Sequence, residues 1–345
     1  ESGRGAAAAL GAVLTLLLVA GLVGGLDGSD GPATAAAPAP SSSAPSSSAA
    51  ASSEPAAPAQ ADPVSADPVP ATVPPPTVSV EPPAGRSASE PPRQVFGRNR
   101  TLVAYYGTAG TGALGVLGEG PADRVVERLD RAARAFARPG RPTQVVLELI
   151  VTIADASPGP DGDFNHDIAR ADVERYIRAA HRHDALLVLD LQPGRASFPE
   201  VARRWAWALR DPRVGLALDP EWRMGPGEVP GRVIGTVDAG EVNEVSLWLA
   251  NLVRARGLPQ KLLVLHQFRT DMVERTDRVA VRDLLATVQH VDGFGTPSQK
   301  LATYRTVLRP DRFHPGFKLF YDEDVALMSP ARVLAVRPRV RFVSY

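Results

Sequence analysis

From Arg100 to Tyr345 the sequence alternates short apolar runs with segments of helical periodicity, and this alternation restricts the fold more than any other feature. The runs are Leu102–Gly107, Val145–Ala154, Leu186–Gln192, Val214–Asp219, Leu262–Phe268, Val291–Thr296, Phe317–Tyr321 and Val340–Tyr345. Amphipathic segments separate most of them. Pro121–Ala137 sets Val125, Val126, Leu129, Ala132, Ala133 and Phe136 on one side, and Asp172–His183 does the same with Val173, Tyr176, Ile177 and Ala180. Further helices are expected over Phe198–Leu209, Glu241–Arg256, Val279–Val288 and Leu301–Leu308, with a short one near Ala331. Ser197-Phe-Pro-Glu200 is a capping-box pattern, and Asp238-Ala-Gly-Glu241 is a near variant. Strand–helix alternation of this kind implies an α/β fold with a parallel sheet. Eight repeats over residues 98–345 match a closed (β/α)8 TIM barrel. The alternative is a doubly wound open sheet, but no strand-to-helix turn carries G-x-G-x-x-G or a phosphate loop. Gly110-Thr-Gly112 after the first run reads as a flexible loop.

The chain upstream cannot share that core. All 20 aromatic residues lie at Phe96 or later, while 16 of the 33 prolines fall in residues 27–97. This Ala/Pro/Ser tract is expected to be a disordered, extended linker. Before it, Gly5 to Leu26 carries no charge and is rich in Leu and Val, long enough as a helix for a ~30 Å hydrocarbon core. Residues 1–26 are therefore expected to be a membrane anchor or a cleaved signal peptide, and both fates stay open. Either one makes the protein extracytoplasmic, membrane-anchored or secreted, with the linker as a stalk and residues 98–345 as the barrel domain.

Composition removes several function classes. With no Cys there is no disulfide scaffold, thiol nucleophile or Cys-ligated zinc site. The 38 basic and 38 acidic residues balance, and no basic stripe suits a phosphate backbone, so no nucleic-acid partner is expected. No cofactor is called for, and a monomer is expected. His181-Arg-His183 ends a helix on the side of the barrel away from the functional face, so ligation is not expected there. Asp161-Gly-Asp163-Phe-Asn165 spaces oxygens as a calcium loop does, but it lacks the sixth-position Gly and reads as a capped turn.

Barrels of this type carry function at the C-terminal ends of their strands. The fourth run ends Gly215-Leu-Ala217-Leu-Asp219-Pro-Glu221-Trp222. Strand alternation puts Gly215, Ala217, Asp219 and Glu221 on one face and Leu216 and Leu218 on the other. The two acids then point into the mouth, where neighbouring carboxylates raise one pKa toward that of a general acid. The third run adds Asp190 and Gln192 on one shared face, and the seventh adds Asp322. Asp190 or Asp322 is the expected second carboxylate. Glu148 shares its parity with Ile150 and Thr152 and is expected either inside the barrel beside an Arg or near the helix side. Tyr105, Tyr106, Trp222, His266, Gln267 and Tyr321, together with Gln192, are candidate substrate contacts at the strand ends, while Phe268 and Phe294 are assigned to the core.

The phrase Leu218-Asp219-Pro220-Glu221-Trp222 resembles the Asp-x-Glu that ends strand four in chitinase-type glycosidases and in barrel-shaped bacterial and fungal lysozymes. The chain as a whole also resembles exported barrels of GC-rich bacteria that share Asp190-Leu-Gln-Pro-Gly194 and Asp219-Pro-Glu-Trp222. The resemblance implies a glycoside hydrolase-like protein acting on a cell-wall or extracellular glycan, with Glu221 as proton donor and Asp219 as its support. Ala217 and Val214 stand where the longer chitinase motif has Asp. That keeps a second reading open, a non-catalytic glycan-binding barrel of the cell envelope.

Overall fold

The computed structural model describes residues 94–345; the expected anchor or signal at 1–26 and the tract from 27 to 93 lie outside the described residues. Among the described residues no helix is long and apolar enough to cross a membrane.

Eight parallel strands close into a barrel: β1 (Thr101–Gly107), β2 (Thr143–Ala154), β3 (Leu186–Leu191), β4 (Val214–Leu218), β5 (Lys261–His266), β6 (Leu285–Val291), β7 (His314–Lys318) and β8 (Phe342–Ser344). Each pairs with the next, and β1 joins both β2 and β8 to complete the ring. Helices α1 (Ala122–Arg134), α2 (Arg170–Arg182), α3 (Phe198–Arg204), α4 (Ala239–Ala255), α5 (Pro297–Val307) and α6 (Pro330–Ala335) cover the outside. The capping box at Ser197 and Glu200 opens α3, and the Asp238 side chain accepts the Gly240 N–H at the start of α4.

Alternation along each strand separates two apolar clusters. Leu216 and Leu218 join Val103, Leu147, Leu189 and Leu263 against the helices. Leu102, Ala104, Val146, Val188, Ala217, Leu262, Val264, Ala286, Val288 and Phe342 fill the barrel interior. Crowding there explains the small residues: a Cβ on Gly215 would lie 2.5 Å from the Leu262 carbonyl oxygen. The base of the barrel is closed from upstream. Val95 and Phe96 are buried in the interior cluster, with the Phe96 ring 4.2 Å from the His314 ring and under the Arg341 guanidinium. Packing therefore begins ahead of residue 98.

Several elements differ from expectation, and the helix expected over Phe198–Leu209 stops at Arg204. The sixth strand is Leu285–Val291, earlier than the run at Val291–Thr296, and no helix covers Val279–Val288. The β-branched stretch Leu285-Ala-Thr-Val-Gln-His-Val291 is buried on both faces between β5 and β7, which overrides its accidental helical spacing. The chain before it is pinned to α4 instead, with the Ala280 N–H donating to Asn243 Oδ1 and Arg282 Nε donating to Ser246 Oγ. The seventh strand likewise begins at His314 and ends at Lys318. The following loop is held by Asp324, whose carboxylate accepts the Phe320 and Gly295 N–H groups.

Candidate active site

On every barrel strand the inward series changes from apolar or small to polar two residues later, at the C-terminal end. Ala104 gives way to Tyr106, Val146 to Glu148, Val188 to Asp190, Ala217 to Asp219, Val264 to His266, Val288 to His290, Gly316 to Lys318 and Phe342 to Ser344. These strand ends meet in one buried polar layer. Above it opens a cavity of about 460 Å³ lined by Tyr106, Gln192, Glu221, Trp222, Phe268, Asp292, Phe294, Lys318, Tyr321, Asp322 and Tyr345, among others.

His266 organises the layer. Its Nε2 lies 3.1 Å from Glu148 Oε1 and its Nδ1 lies 2.8 Å from Asp292 Oδ2. A ring with a carboxylate on each nitrogen donates from both and is an imidazolium. Burial opposes that charge, but Asp219, Asp292 and Glu148 outweigh it and hold the pKa well above the ordinary value. Next to it, ring centroids 4.8 Å apart, His290 is held neutral by burial and by the His266 charge. Its Nε2 lies 3.0 Å from Ser344 Oγ. Glu148 thus faces inward, paired with a histidine and not with the arginine expected for it.

Tyr106 joins this layer to the cavity. Its hydroxyl donates to Asp219 Oδ2 at 3.5 Å and accepts from Gln192 Nε2 at 3.3 Å. The Lys318 ammonium sits 3.6 Å from its ring centroid. Gln192 is fixed in turn, because its Oε1 accepts the Ala154 N–H at 3.1 Å.

The acids outnumber the cations. Glu148, Asp190, Asp219, Glu221 and Asp292 surround His266 and Lys318. Burial raises the Glu221 carboxyl to about 7, with Asp292 adding to the shift and Lys318 and His266 opposing it. Burial also pushes Asp190 to about 6, with Glu148 raising it and His266 lowering it. Asp219 rises well above the usual carboxylate range through burial and then through the Glu221 charge. Glu221 is half-buried on the cavity wall, in the turn Pro220–Trp222 that follows β4. The strand has ended by then, so the turn and not pleat alternation delivers Glu221 to the mouth beside Asp219.

The other expected site residues divide by position. Asp190 is fully buried and lies off the cavity lining. Asp322 lines the cavity but is exposed at its rim. Trp222 is buried in the wall. Tyr105 lies on the helix side of β1 beneath the Arg128 guanidinium, its hydroxyl 3.5 Å from that of Tyr321. Tyr321 is exposed and stacks on Tyr345 at 4.8 Å between centroids. Gln267 does not reach the mouth: it points outward, accepting from Gln289 Nε2 and donating to the Arg269 carbonyl. Phe268 and Phe294, assigned to the core, line the cavity half-buried. His181 pairs with Asp211 and His183 with Asp123 on the outside. In the Asp161 loop, Asp161 and Asp163 accept backbone N–H groups two residues on, as a capped turn does. Sequence reasoning missed Asp292, His290, Lys318 and Ser344. The repeated apolar-to-polar step at the strand ends was the signal that marks three of these four.

The cavity loops are tied together from below. Lys300 Nζ donates to the Gly293 carbonyl at 2.8 Å and pairs with Asp324 at 2.9 Å, both side chains being buried. This fixes the loop after β6, which carries Asp292, against the loop after β7.

The fold and site define an eight-stranded parallel (β/α) barrel with an ionisable cluster at its C-terminal mouth, the end where such barrels carry function. No protein-family model matches the sequence, and a search of curated proteins finds no match. Solved structures similar to the chain include dihydrodipicolinate synthase from Bacillus clausii (11% identity, TM-score 0.33, 71% of this chain and 67% of that one). Endoglucanase Cel5A from the hyperthermophilic Thermotoga maritima matches at 10% identity and TM-score 0.40, over 72% of this chain and 91% of that one. The structure of ZgEngAGH5_4 in complex with a cellotriose matches at 13% identity and TM-score 0.34, over 58% and 75%.

Proposed function

We propose that this protein is an exported glycoside hydrolase that cleaves a cell-wall or extracellular glycan by carboxylate acid–base catalysis. The observation that carries the reading is Glu221: a carboxyl on the wall of the cavity, holding its proton to about pH 7. A general acid needs that combination of access and a pKa near the working pH. Glu221 gives its proton to the glycosidic oxygen as the bond from the anomeric carbon to the leaving sugar breaks; a water oxygen ends bonded to that carbon, directly or after an ester to the second carboxylate, and the proton this water gives up returns to the carboxylate pair. Asp292 is the second carboxylate. It lines the same cavity, it is the neighbouring charge that raises Glu221 most, and its Oδ1 is free while Oδ2 is held by His266. Asp219 and Asp190 lie beneath and act on the pair electrostatically. Tyr321 and Tyr345 form an aromatic surface at the rim on which a sugar ring can rest.

The test is release of reducing ends from peptidoglycan and envelope polysaccharides by the full chain, alongside Glu221→Gln and Asp292→Asn, with glycan binding measured in parallel. Cleavage by the wild type that both variants lose supports the proposal. Binding without cleavage, equal in all three proteins, makes this a glycan-binding barrel. Neither cleavage nor binding removes glycans as the substrate class.

A further inference from the structure

We infer that Glu148, His266 and His290 form a site for a divalent transition-metal ion of the Zn2+ type in the barrel core, beneath the cavity floor. The ligand atoms of these three residues all lie within 4.8 Å of one another, and all three side chains are completely buried. Ligands around one zinc ion sit roughly 3.5 Å apart, so the set closes on an ion by side-chain movements of about an ångström.

Two buried atoms in the set have no hydrogen-bond partner, Glu148 Oε2 and His290 Nδ1. An orphaned polar atom at zero exposure is costly, and a set of three clustered residues that holds two of them has the character of a ligand position. The surroundings prepare both rings. Ser344 Oγ lies 3.0 Å from His290 Nε2 and Nδ1 has no partner, so the tautomer that donates Nε2–H to the serine offers its Nδ1 lone pair to an ion. Asp292 Oδ2 lies 2.8 Å from His266 Nδ1 and keeps that hydrogen, so an ion takes the Nε2 lone pair in place of its proton, which leaves to solvent. A carboxylate or hydroxyl behind each ligating imidazole is the arrangement that orients histidine ligands. Two imidazoles and one carboxylate suit zinc, iron or nickel better than calcium or magnesium.

Strand geometry explains why the three meet. His266 and His290 are register partners on β5 and β6. Glu148 enters from β2 across the barrel. A Cβ on Gly316 would lie 3.0 Å from the His290 ring, so the glycine on β7 gives that ring its room.

A second triad shares His266, namely Asp219, His266 and Asp292. It draws in Asp292, whose carboxylate holds His266 Nδ1 at 2.8 Å and orients the ring, so the ion is assigned to the first set. This assignment is independent of the glycosidase reading, since its measurement is binding and not turnover.

The experiment uses full-length protein stripped with chelator and titrated with Zn2+ alone, with ¹⁵N NMR of the imidazoles as the structural readout. The expected result is saturable 1:1 binding, with the coordinated-nitrogen shift at His266 Nε2 and His290 Nδ1 in the wild type. Glu148→Gln and His290→Gln weaken binding at least ~100-fold, while Asp219→Asn retains it within a few-fold. The wild-type NMR result stands even where a buried variant fails to fold. No saturable binding, unchanged affinity in folded Glu148→Gln and His290→Gln, or loss in Asp219→Asn with the shift on His266 Nδ1 overturns the inference.

Discussion

Replacing Glu221 by Gln removes one ionisable proton site and keeps the shape of the side chain. The wild-type carboxyl moves from an ordinary 4.5 to about 7 in the folded barrel, first because it is buried and then because Asp292 faces it. The folded state therefore binds this proton more tightly than the unfolded chain does. Stability from this group is present below about pH 4.5 and is lost progressively as pH rises to about 7. A shift of about 2.5 units corresponds to an upper value of about 3 kcal/mol. Glu221→Gln has no such loss, so the stability difference, variant minus wild type, should grow by up to about 3 kcal/mol between pH 4 and pH 8. For a barrel of this size that is roughly 6–12 °C in Tm. Urea unfolding of both proteins across that range, in the presence of chelator, measures it. A difference that stays flat from pH 4 to pH 8 would mean that Glu221 titrates in the fold as it does in the unfolded chain, with no upward shift.

Other consequences follow from named contacts. Asp324→Asn removes the partner of the buried Lys300 ammonium and should cost about 3–5 kcal/mol in urea unfolding, with glycan turnover falling as the Asp292 loop loosens. Phe96→Ala opens the base of the barrel and should cost about 3 kcal/mol by thermal unfolding; a loss below about 0.5 kcal/mol would place Phe96 outside the cooperative fold. Tyr321→Ala exposes Tyr345 at the rim and should weaken oligosaccharide binding by roughly 1 kcal/mol in calorimetry, leaving the unfolding midpoint in place.

The barrel was legible because strand and helix periods differ and the two alternate along the chain. The alternation of Leu216 and Leu218 with Ala217 correctly separated helix side from interior. It failed at Val279–Val288, where burial on both faces of β6 gave a helix-like spacing to a strand. That single shift also obscured Asp292, which directly follows the true strand end but falls inside the run expected at Val291–Thr296. Gln267 was misplaced for a related reason. It is adjacent to His266 in sequence but points to the opposite face, and its amide serves Gln289 and a loop carbonyl. Glu221 is placed at the mouth by a pattern whose stated geometry does not apply beyond the last strand residue; a turn carries it there instead. The histidine–carboxylate layer was the hardest part to read. It depends on eight strand ends converging, and each strand contributes one unremarkable polar residue to it.

In the proposed reaction Glu221 delivers a proton to the leaving group. The direct measurement compares wild type and Glu221→Gln on a pair of aryl glycosides of the released sugar, one with a strongly acidic phenol as leaving group and one with a weakly acidic phenol. A leaving group that departs without protonation does not need the acid. The variant should lose ~10²–10⁴-fold on the poor leaving group and far less on the good one. Equal losses on both substrates, or full activity on the poor one, would contradict proton donation by Glu221.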